Sequence, residues 1–593
     1  YLIFSLTLVL QFILGFILIS LNTRHFKINR FFEKENFLIL FLSFVFGGIF
    51  YILETPSISK IYMILLFSIG LFIINKKITS YKYSKKVDIF FSILIFLILL
   101  KVFLLSSEKD SFHYSWYLGP AYSTLADNIM MSEIVSQYGY FSILFIKYFS
   151  LFFNFSFDKA FILLIIIFFL CFFFLFVFLM KKKLDYSYFI ITTFISVVLF
   201  ANSGIANISS SIFIPSSSVY RFLPSLLSIF FLSNLLKNKE NLFKSSGYLF
   251  FISFIISICW SVESAFFSLF SVFSLSSSFI LYTLYFYLIE KKKTILKIDR
   301  YKKIFTIFSI LSFLIIIFFF NNKELLFFYE HLIGLKAFKS LELLPARITV
   351  TFVFFIIINY LFLRLSFDKK TKIDFLNNSM WFGLLLSYST YYIARSHINN
   401  FFSILPFIIF ITLMIDFNTN IIVKVKNLLI KTIIFFSLIV TFVSFYENAS
   451  IFKKNLISEN FLRLPQYKFN NYKPSSEIQI NLDRYNEIPI TLITGKYIHN
   501  FNNNLKKGGY GMPILPLEQF NRLSEKRKSY LNKIFFEKNN QQLILCLIDC
   551  KFYKGNSMNS LEDIFIADES KILNLANLKK NGLIEKLYLI SIK

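Results

Sequence analysis

The chain has 593 residues, of which 56% are hydrophobic, 20% aromatic and only 16% charged. A soluble protein carries about 25% charged residues, so this chain lacks the polar surface to cover itself in water; a soluble enzyme, a coiled coil and a disordered chain are excluded. The net charge of +28 sits mostly in short basic clusters between apolar runs, a pattern of cytoplasmic loops rather than of nucleic-acid binding.

The sequence opens at Tyr1 inside an apolar run, which leaves open a preceding segment, including any targeting peptide. Runs near the length that crosses ~30 Å of hydrocarbon are predicted at about 1–22, 37–53, 60–75, 88–106, 160–180, 188–203, 219–236, 246–260, 265–290, 303–320, 348–364, 380–394, 401–416 and 428–446. Seven basic clusters separate them, at Arg24–Lys34, Lys76–Lys86, Lys181–Lys183, Lys237–Lys244, Lys291–Lys303, Arg364–Lys372 and Lys424–Lys431. Between consecutive clusters there is room for about two spans, so all seven fall on one side, the cytoplasm by the positive-inside bias. The fold predicted for 1–446 is an α-helical polytopic membrane domain of about 12–14 transmembrane helices.

By parity the outward segments are the loop 107–159, then 204–218, 260–264, 321–347, 395–400 and everything after 446. Phe141 to Phe153, broken by Lys147, reads as an interfacial helix rather than a span. From Glu447 the composition changes, with strand-like segments at 488–493, 542–549 and 586–592 and helix-like ones around 516–538 and 570–580. That predicts a small extracytoplasmic α/β domain over 447–593. Four cysteines, Cys171, Cys259, Cys546 and Cys550, match neither a disulfide framework nor a zinc site. Cys546 and Cys550 can pair if exported, but a strand with two incidental thiols is the reading preferred. The turn-rich stretch with Gly508, Gly509, Gly511, Pro513 and Pro516 lacks P-loop spacing and is assigned no chemistry.

Charges at the mouth of a membrane bundle are costly, so each is a functional candidate. In the first outer loop these are Asp110, His113, Asp127 and Glu133, followed by Gln137, Tyr138 and Gly139. Distant segments add Arg221 at the start of a span, Glu263 in the WSVES turn, and Arg395 and His397 in YYIARSHINN. Carboxylates gathered there can serve as a general base or hold a metal, and arginines can clamp a phosphate. Each has a plainer reading as well: Asp110 as helix-end solvation, Asp127 as a loop acid, Arg221 and Glu263 as a structural pair, Arg395 and His397 as interfacial anchors. Glu330 and His331 read as a solvated helix face.

The stretch DSFHYSWYLGPAYSTLADNIMMSEIVSQYGYFSI at 110–143 resembles the first outer loop of bacterial membrane proteins of the GT-C glycosyltransferase superfamily. WSVESAFF at 260–267 resembles their mid-chain turn, and YYIARSHINNFFSILP at 391–406 a later pattern of the same proteins. The chain departs from them in having Asp110-Ser111 where an Asp-Glu pair is common, and in placing Glu133 rather than an aspartate before SQYG. The resemblance implies a bacterial inner-membrane enzyme with an extracytoplasmic active site. It would move a sugar from a polyprenyl-phosphate donor to a glycan, lipid or protein acceptor. Asp110 and Glu133 map to the catalytic acids, which would also be the ligands of a divalent metal, Mg or Mn, if one is used. His113, Gln137, Tyr138, Arg221, Glu263, Arg395 and His397 would bind substrate, the arginines and His397 at the phosphate. An O-antigen-type ligase or polymerase uses the same donor class and stands as an alternative. A transporter or flippase is the other, disfavoured by scarce Gly and Pro and by charges at one face rather than the midplane.

Overall fold

A computed structural model describes residues 86–90, 92–94, 96–97, 117–121, 124, 138–183, 188, 191–192, 195, 219–238, 245–288, 372–394, 398–415, 474–488, 490–494, 514–516, 541–554, 563–566, 570–580 and 583–592, with single positions inside that set excepted. The spans expected at 1–22, 37–53, 60–75, 303–320, 348–364 and 428–446 lie outside them.

Seven helices form the described bundle: α1 (Phe141–Phe153), α2 (Phe157–Lys183), α3 (Val219–Asn238), α4 (Ser245–Trp260), α5 (Val262–Leu288), α6 (Lys372–Ala394) and α7 (Ile398–Met414). Three of them, over Phe157–Lys182, Val219–Lys237 and Glu263–Ile280, are long and apolar enough to cross a membrane, as expected of a membrane protein. α1 has 13 residues, about 20 Å at 1.5 Å per residue, and falls short of a span. Its chain reverses at Asn154, φ 52°, whose N–H and that of Phe155 return to the Leu151 and Ser150 carbonyls; asparagine tolerates this left-handed position better than most residues.

Helix α5 turns small polar residues inward and large apolar ones outward. On α5, Ser264, Ser268, Ser271, Ser274 and Ser278 are buried, while Leu269, Phe273 and Ile280 on the same helix are exposed. In water that arrangement would be an aggregation liability. In lipid it is the expected one, because the tails are as apolar as leucine and helices instead associate by close approach of small residues. The crossing of α5 and α6 shows this: a Cβ placed on Gly383 would stand 2.6 Å from the Ser274 Cβ and 3.2 Å from the Ser271 Cα. Ser274 Oγ donates to the Ser379 carbonyl at 2.9 Å, and the Tyr388 ring meets Phe267, so the two helices run antiparallel.

Cross-helix bonds set the other directions. Ser233 Oγ, near the end of α3, donates to Asn377 Oδ1 near the start of α6 at 2.6 Å, while Tyr388, near the end of α6, donates to the Phe222 carbonyl at the start of α3. α3 and α6 are therefore antiparallel. α2 and α7 run parallel, with Phe172 against Phe407 and Phe176 against Phe410. The starts of α2 and α3 lie together, Phe161 against Tyr220, which leaves Lys181, Lys182 and Lys183 at the far end of the bundle from Arg221.

The C-terminal part is a mixed sheet in the order β2-β1-β3-β7-β6, with strands β1 (Ile490–Thr494), β2 (Ile514–Pro516), β3 (Gln541–Cys546), β6 (Ser570–Lys580) and β7 (Leu583–Ile592). β4 (Lys551–Lys554) and β5 (Asp563–Ile566) pair separately, and the short helix α8 (Ser476–Arg484) lies against β6. The strands expected at 488–493, 542–549 and 586–592 are present. The helix expected over 570–580 is corrected to β6: the spacing of Ile572, Leu575 and Leu578 is helical over too short a run to decide, and antiparallel pairing with β7 from Ser570 to Lys580, interrupted by one register shift between Asn574 and Ala576, wins. The helix expected around 516–538 lies outside the described residues beyond Pro516.

The preferred reading of Cys546 and Cys550 as incidental thiols is also corrected, for they form a disulfide. In a continuing strand, four residues would separate their Cα atoms by about 13 Å. Instead β3 ends at Cys546 and the chain folds back, Leu547 N–H donating to the Ile493 carbonyl and Cys550 N–H to that of Ile548, bringing the Cα atoms to 6.1 Å, within reach of a bridge. The reversal is flanked by an ion pair of Lys586 with Asp549, and the hydrogen bond from the Lys586 ammonium holds the Asp549 carboxyl below its usual range.

The α5–α6 contact leaves no room for a side chain. Gly383→Ala is expected to destabilise the bundle by about 1–3 kcal/mol through overpacking, read as a lowered unfolding temperature in detergent. Ser274→Gly in the same chain is expected to recover part of that loss, because it removes the nearest clashing carbon.

Candidate functional site

The site is built where four sequence-distant segments meet at one end of the bundle. Arg221 is the third residue of α3 and points inward, 6% exposed. A guanidinium cannot lose its proton to escape burial and demands an anion instead. Glu263 supplies it: Arg221 Nη2 is hydrogen-bonded and ion-paired to Glu263 Oε1. Two tyrosine faces cover the cation, Tyr138 with its ring centroid 5.3 Å from the guanidinium carbon and Tyr391 at 5.0 Å, and ring quadrupoles attract a cation held there. Tyr117 stacks on Tyr138 with centroids 4.6 Å apart and planes 8° from parallel.

The local sequence explains why Glu263 arrives at this place. α4 and α5 are joined by the single residue Ser261. Its Oγ accepts the Ser264 N–H at 3.1 Å, an N-cap for α5, and Glu263 falls in the first turn, where the helix dipole favours a carboxylate. Across the turn Ser257 Oγ bonds Ser268 Oγ at 2.6 Å, closing the hairpin. The Glu263 carboxylate is the more open partner, its side chain 27% exposed against 7% for Arg221, and its Oε2 has no hydrogen-bond partner among the described residues.

The start of α3 is anchored by a second device. Pro224 lies within α3 and has no N–H for the Tyr220 carbonyl four residues back. Trp260 Nε1 donates to that carbonyl instead, at 2.8 Å. Tyr220 Oη in turn donates to the Ser142 carbonyl at 2.7 Å, tying in α1. Gly139 sits at φ +99°, and a Cβ there would fall 2.2 Å from the Trp260 carbonyl oxygen and 2.5 Å from the Ser261 Cα; only glycine lets the loop seat on the hairpin and bring Tyr138 over Arg221.

Of the residues expected at the site, Tyr138, Arg221 and Glu263 are brought together. Asp110, His113, Asp127, Glu133, Gln137, Arg395 and His397 lie outside the described residues, as do Glu330 and His331; Arg395 directly follows the last residue of α6. The structural pair of Arg221 with Glu263 is formed, so a phosphate reaching Arg221 would share the guanidinium with that carboxylate. Tyr117, Trp260 and Tyr391 were not singled out from sequence, although each lies within a quoted motif. With 84 Phe and 33 Tyr in the chain, a single ring carries no signal. Among the described residues no group of three or more His, Cys, Asp or Glu stands together to hold a metal. Compared with protein-family models, with curated proteins and with solved structures, the chain matches none.

Breaking the pair from one side leaves a charge stranded. Arg221→Met is expected to destabilise by about 3 kcal/mol, and the double variant Arg221→Met, Glu263→Met to be closer to wild type than the sum of the single changes. Thermal unfolding of the four proteins in one detergent measures the coupling.

Proposed function

We propose that this chain is an integral-membrane glycosyltransferase that moves a sugar from a polyprenyl-phosphate donor to an extracytoplasmic acceptor, with its active site at the end of the bundle that holds Arg221 and Glu263. The observation that supports the reading is convergence. Tyr138 of SQYG, Arg221, Glu263 of WSVES and Tyr391 of YYIARSH stand far apart along the chain and meet around one guanidinium, and three of the four come from the stretches that resemble the GT-C proteins.

In the proposed reaction the Asp110 carboxylate takes the proton of an acceptor hydroxyl. The acceptor oxygen attacks the anomeric carbon, the bond from that carbon to the phosphate oxygen breaks, and the lipid phosphate leaves with the electron pair. Direct displacement of this kind needs a single base in hydrogen-bond reach. Glu133 supports the acceptor or a divalent cation, and Arg395, His397 and Arg221 face the negative charge that grows on the leaving phosphate. The aromatic faces of Tyr138 and Tyr391 belong to the wall of the same site.

The Cys546–Cys550 bridge supports an exported C-terminal domain, because disulfides persist in oxidising compartments and are rare in the cytosol. The basic ends of α2 and α3, opposite Arg221, support the same orientation through the positive-inside bias. Protein extracted from bacterial membranes into excess alkylating reagent, without reductant, is expected to carry label on Cys171 but not on Cys546 or Cys550, as read by peptide mass spectrometry.

For the reaction itself, labelled polyprenyl-phosphate sugars are presented to the purified full chain with candidate acceptors. Wild type is expected to transfer label, and Asp110→Asn to lose transfer by about 10²-fold or more with an unchanged unfolding temperature. Full transfer by a folded Asp110→Asn protein removes Asp110 as the base.

A further inference from the structure

Two tryptophans of the described bundle are buried and donate a hydrogen bond to α3. Trp381 of α6 gives its indole N–H to Ser233 Oγ at 3.1 Å, near the basic end of α3. Trp260 gives its own to the Tyr220 carbonyl, one residue before Arg221. The two rings are 0% and 2% exposed, so they are matched in burial and in chemistry. Their surroundings differ. Ser233 is an ordinary side-chain acceptor, whereas the Tyr220 carbonyl is a backbone group freed by Pro224, and left without a donor in an apolar interior it would carry a desolvation cost.

Trp260 is also the residue on which the other parts of the site close. It ends α4, one residue before the Ser261 cap and three before Glu263. Its carbonyl is the surface against which Gly139 seats. Its ring packs on Tyr220, Phe168 and Phe145, with centroids 5.0, 5.2 and 5.7 Å away, and so touches α1, α2 and α3 at once. Residues 139, 220 and 263, which flank or include Tyr138, Arg221 and the carboxylate, are thus all referred to one indole and its backbone.

We propose that Trp260 is the positioning residue of the site: its bond to the proline-freed Tyr220 carbonyl sets the start of α3 against the α4–α5 hairpin, and thereby sets Arg221 against Glu263. The inference rests on the proposed glycosyltransferase reading only in taking that pair as part of a functional site. Trp260 reaches no substrate in this role; it acts through Tyr220, Gly139 and the hairpin. Pro224 belongs to the device, since a residue with an N–H there would satisfy Tyr220 within the helix and remove the need for the indole.

Trp260→Phe and Trp381→Phe make the same chemical change at opposite ends of α3, and the full chain carrying each is compared with wild type in nanodiscs of phosphatidylethanolamine and phosphatidylglycerol. Both variants are expected to lower the unfolding temperature. Adding Glu263→Gln is then expected to lower it further in wild type and in Trp381→Phe, but by less than half as much in Trp260→Phe, where the pair is already misaligned. An equal effect of Glu263→Gln in all three backgrounds overturns the proposal. A Trp260→Phe protein that no longer folds is replaced by Pro224→Ala, which restores the helical N–H; there Trp260→Phe is expected to be tolerated, and a loss of folding in that background also overturns it.

Binding of undecaprenyl phosphate, titrated into the same nanodiscs and followed by native mass spectrometry, is the second readout. Trp260→Phe is expected to weaken it about tenfold or more, and Trp381→Phe to leave it unchanged; equal weakening by both assigns Trp260 a merely structural role. If wild type binds none of this lipid while the Glu263→Gln differences appear as expected, the positioning role stands and the glycosyltransferase reading falls.

Discussion

A guanidinium taken out of water at the end of a membrane bundle has to be answered by the rest of the protein, and much of the described architecture is that answer. Arg221 cannot shed its charge on burial. Glu263 must therefore stand beside it, which requires the starts of α3 and α5 to meet and α4 to return to them through the single-residue connection at Ser261. The tyrosine faces of Tyr138 and Tyr391 complete the enclosure, and they come from the segment just before α1 and from the end of α6. A site that draws on four segments is costly to keep if all it does is hold helices together, because small-residue packing already does that along α5 and α6.

The packing is of the kind a hydrocarbon solvent leaves available. Several buried serine hydroxyls turn back to carbonyls of their own helix, as Ser271 does to Phe267 and Ser389 to Leu385, so they behave as small, internally satisfied spacers. A few cross between helices, Ser233 to Asn377 and Ser274 to Ser379 among them. Because each such bond is directional, it fixes the rotation of one helix against the next where apolar packing alone would allow several. The rotation of α3 in particular decides whether its third residue faces the bundle or the lipid.

Much of this was legible in the sequence, and for physical reasons. Apolar runs of spanning length follow from the thickness of the bilayer, so the segments 160–180, 219–236, 246–260 and 380–394 fall on described helices, as do 265–290 up to Leu288 and 401–416 up to Met414, although α6 begins eight residues earlier than its apolar run, at Lys372. The pairing of Arg221 with Glu263 was one of two readings that charge and position allowed. What composition hid was the role of the rings: in a chain this rich in phenylalanine and tyrosine, Tyr117, Trp260 and Tyr391 look like any other apolar positions. The disulfide and β6 were missed because one depends on the chain reversal at 547–550 and the other on antiparallel pairing with β7, each bringing together residues whose local pattern points elsewhere.

The two ends of α3 make the distinction between scaffold and site concrete. At its basic end the helix is regular and its contacts are side chain to side chain, Ser233 with Asn377 and Trp381. At its other end the backbone itself is irregular: a proline has removed an amide, a glycine at φ +99° is pressed on a carbonyl, and two helices meet across one residue. Broken backbone is tolerated at membrane depth only where protein groups or a water-filled cavity take up the freed bonds, and here the indole of Trp260 takes up the bond to the Tyr220 carbonyl that Pro224 cannot make. A helix bundle that needed only to be stable would have no use for such an arrangement, since an alanine at 224 would satisfy Tyr220 without help. Irregularity that is compensated by a buried indole, confined to one end of α3, and gathered around the single buried guanidinium–carboxylate pair of the described bundle is what the proposed site would impose on a fold.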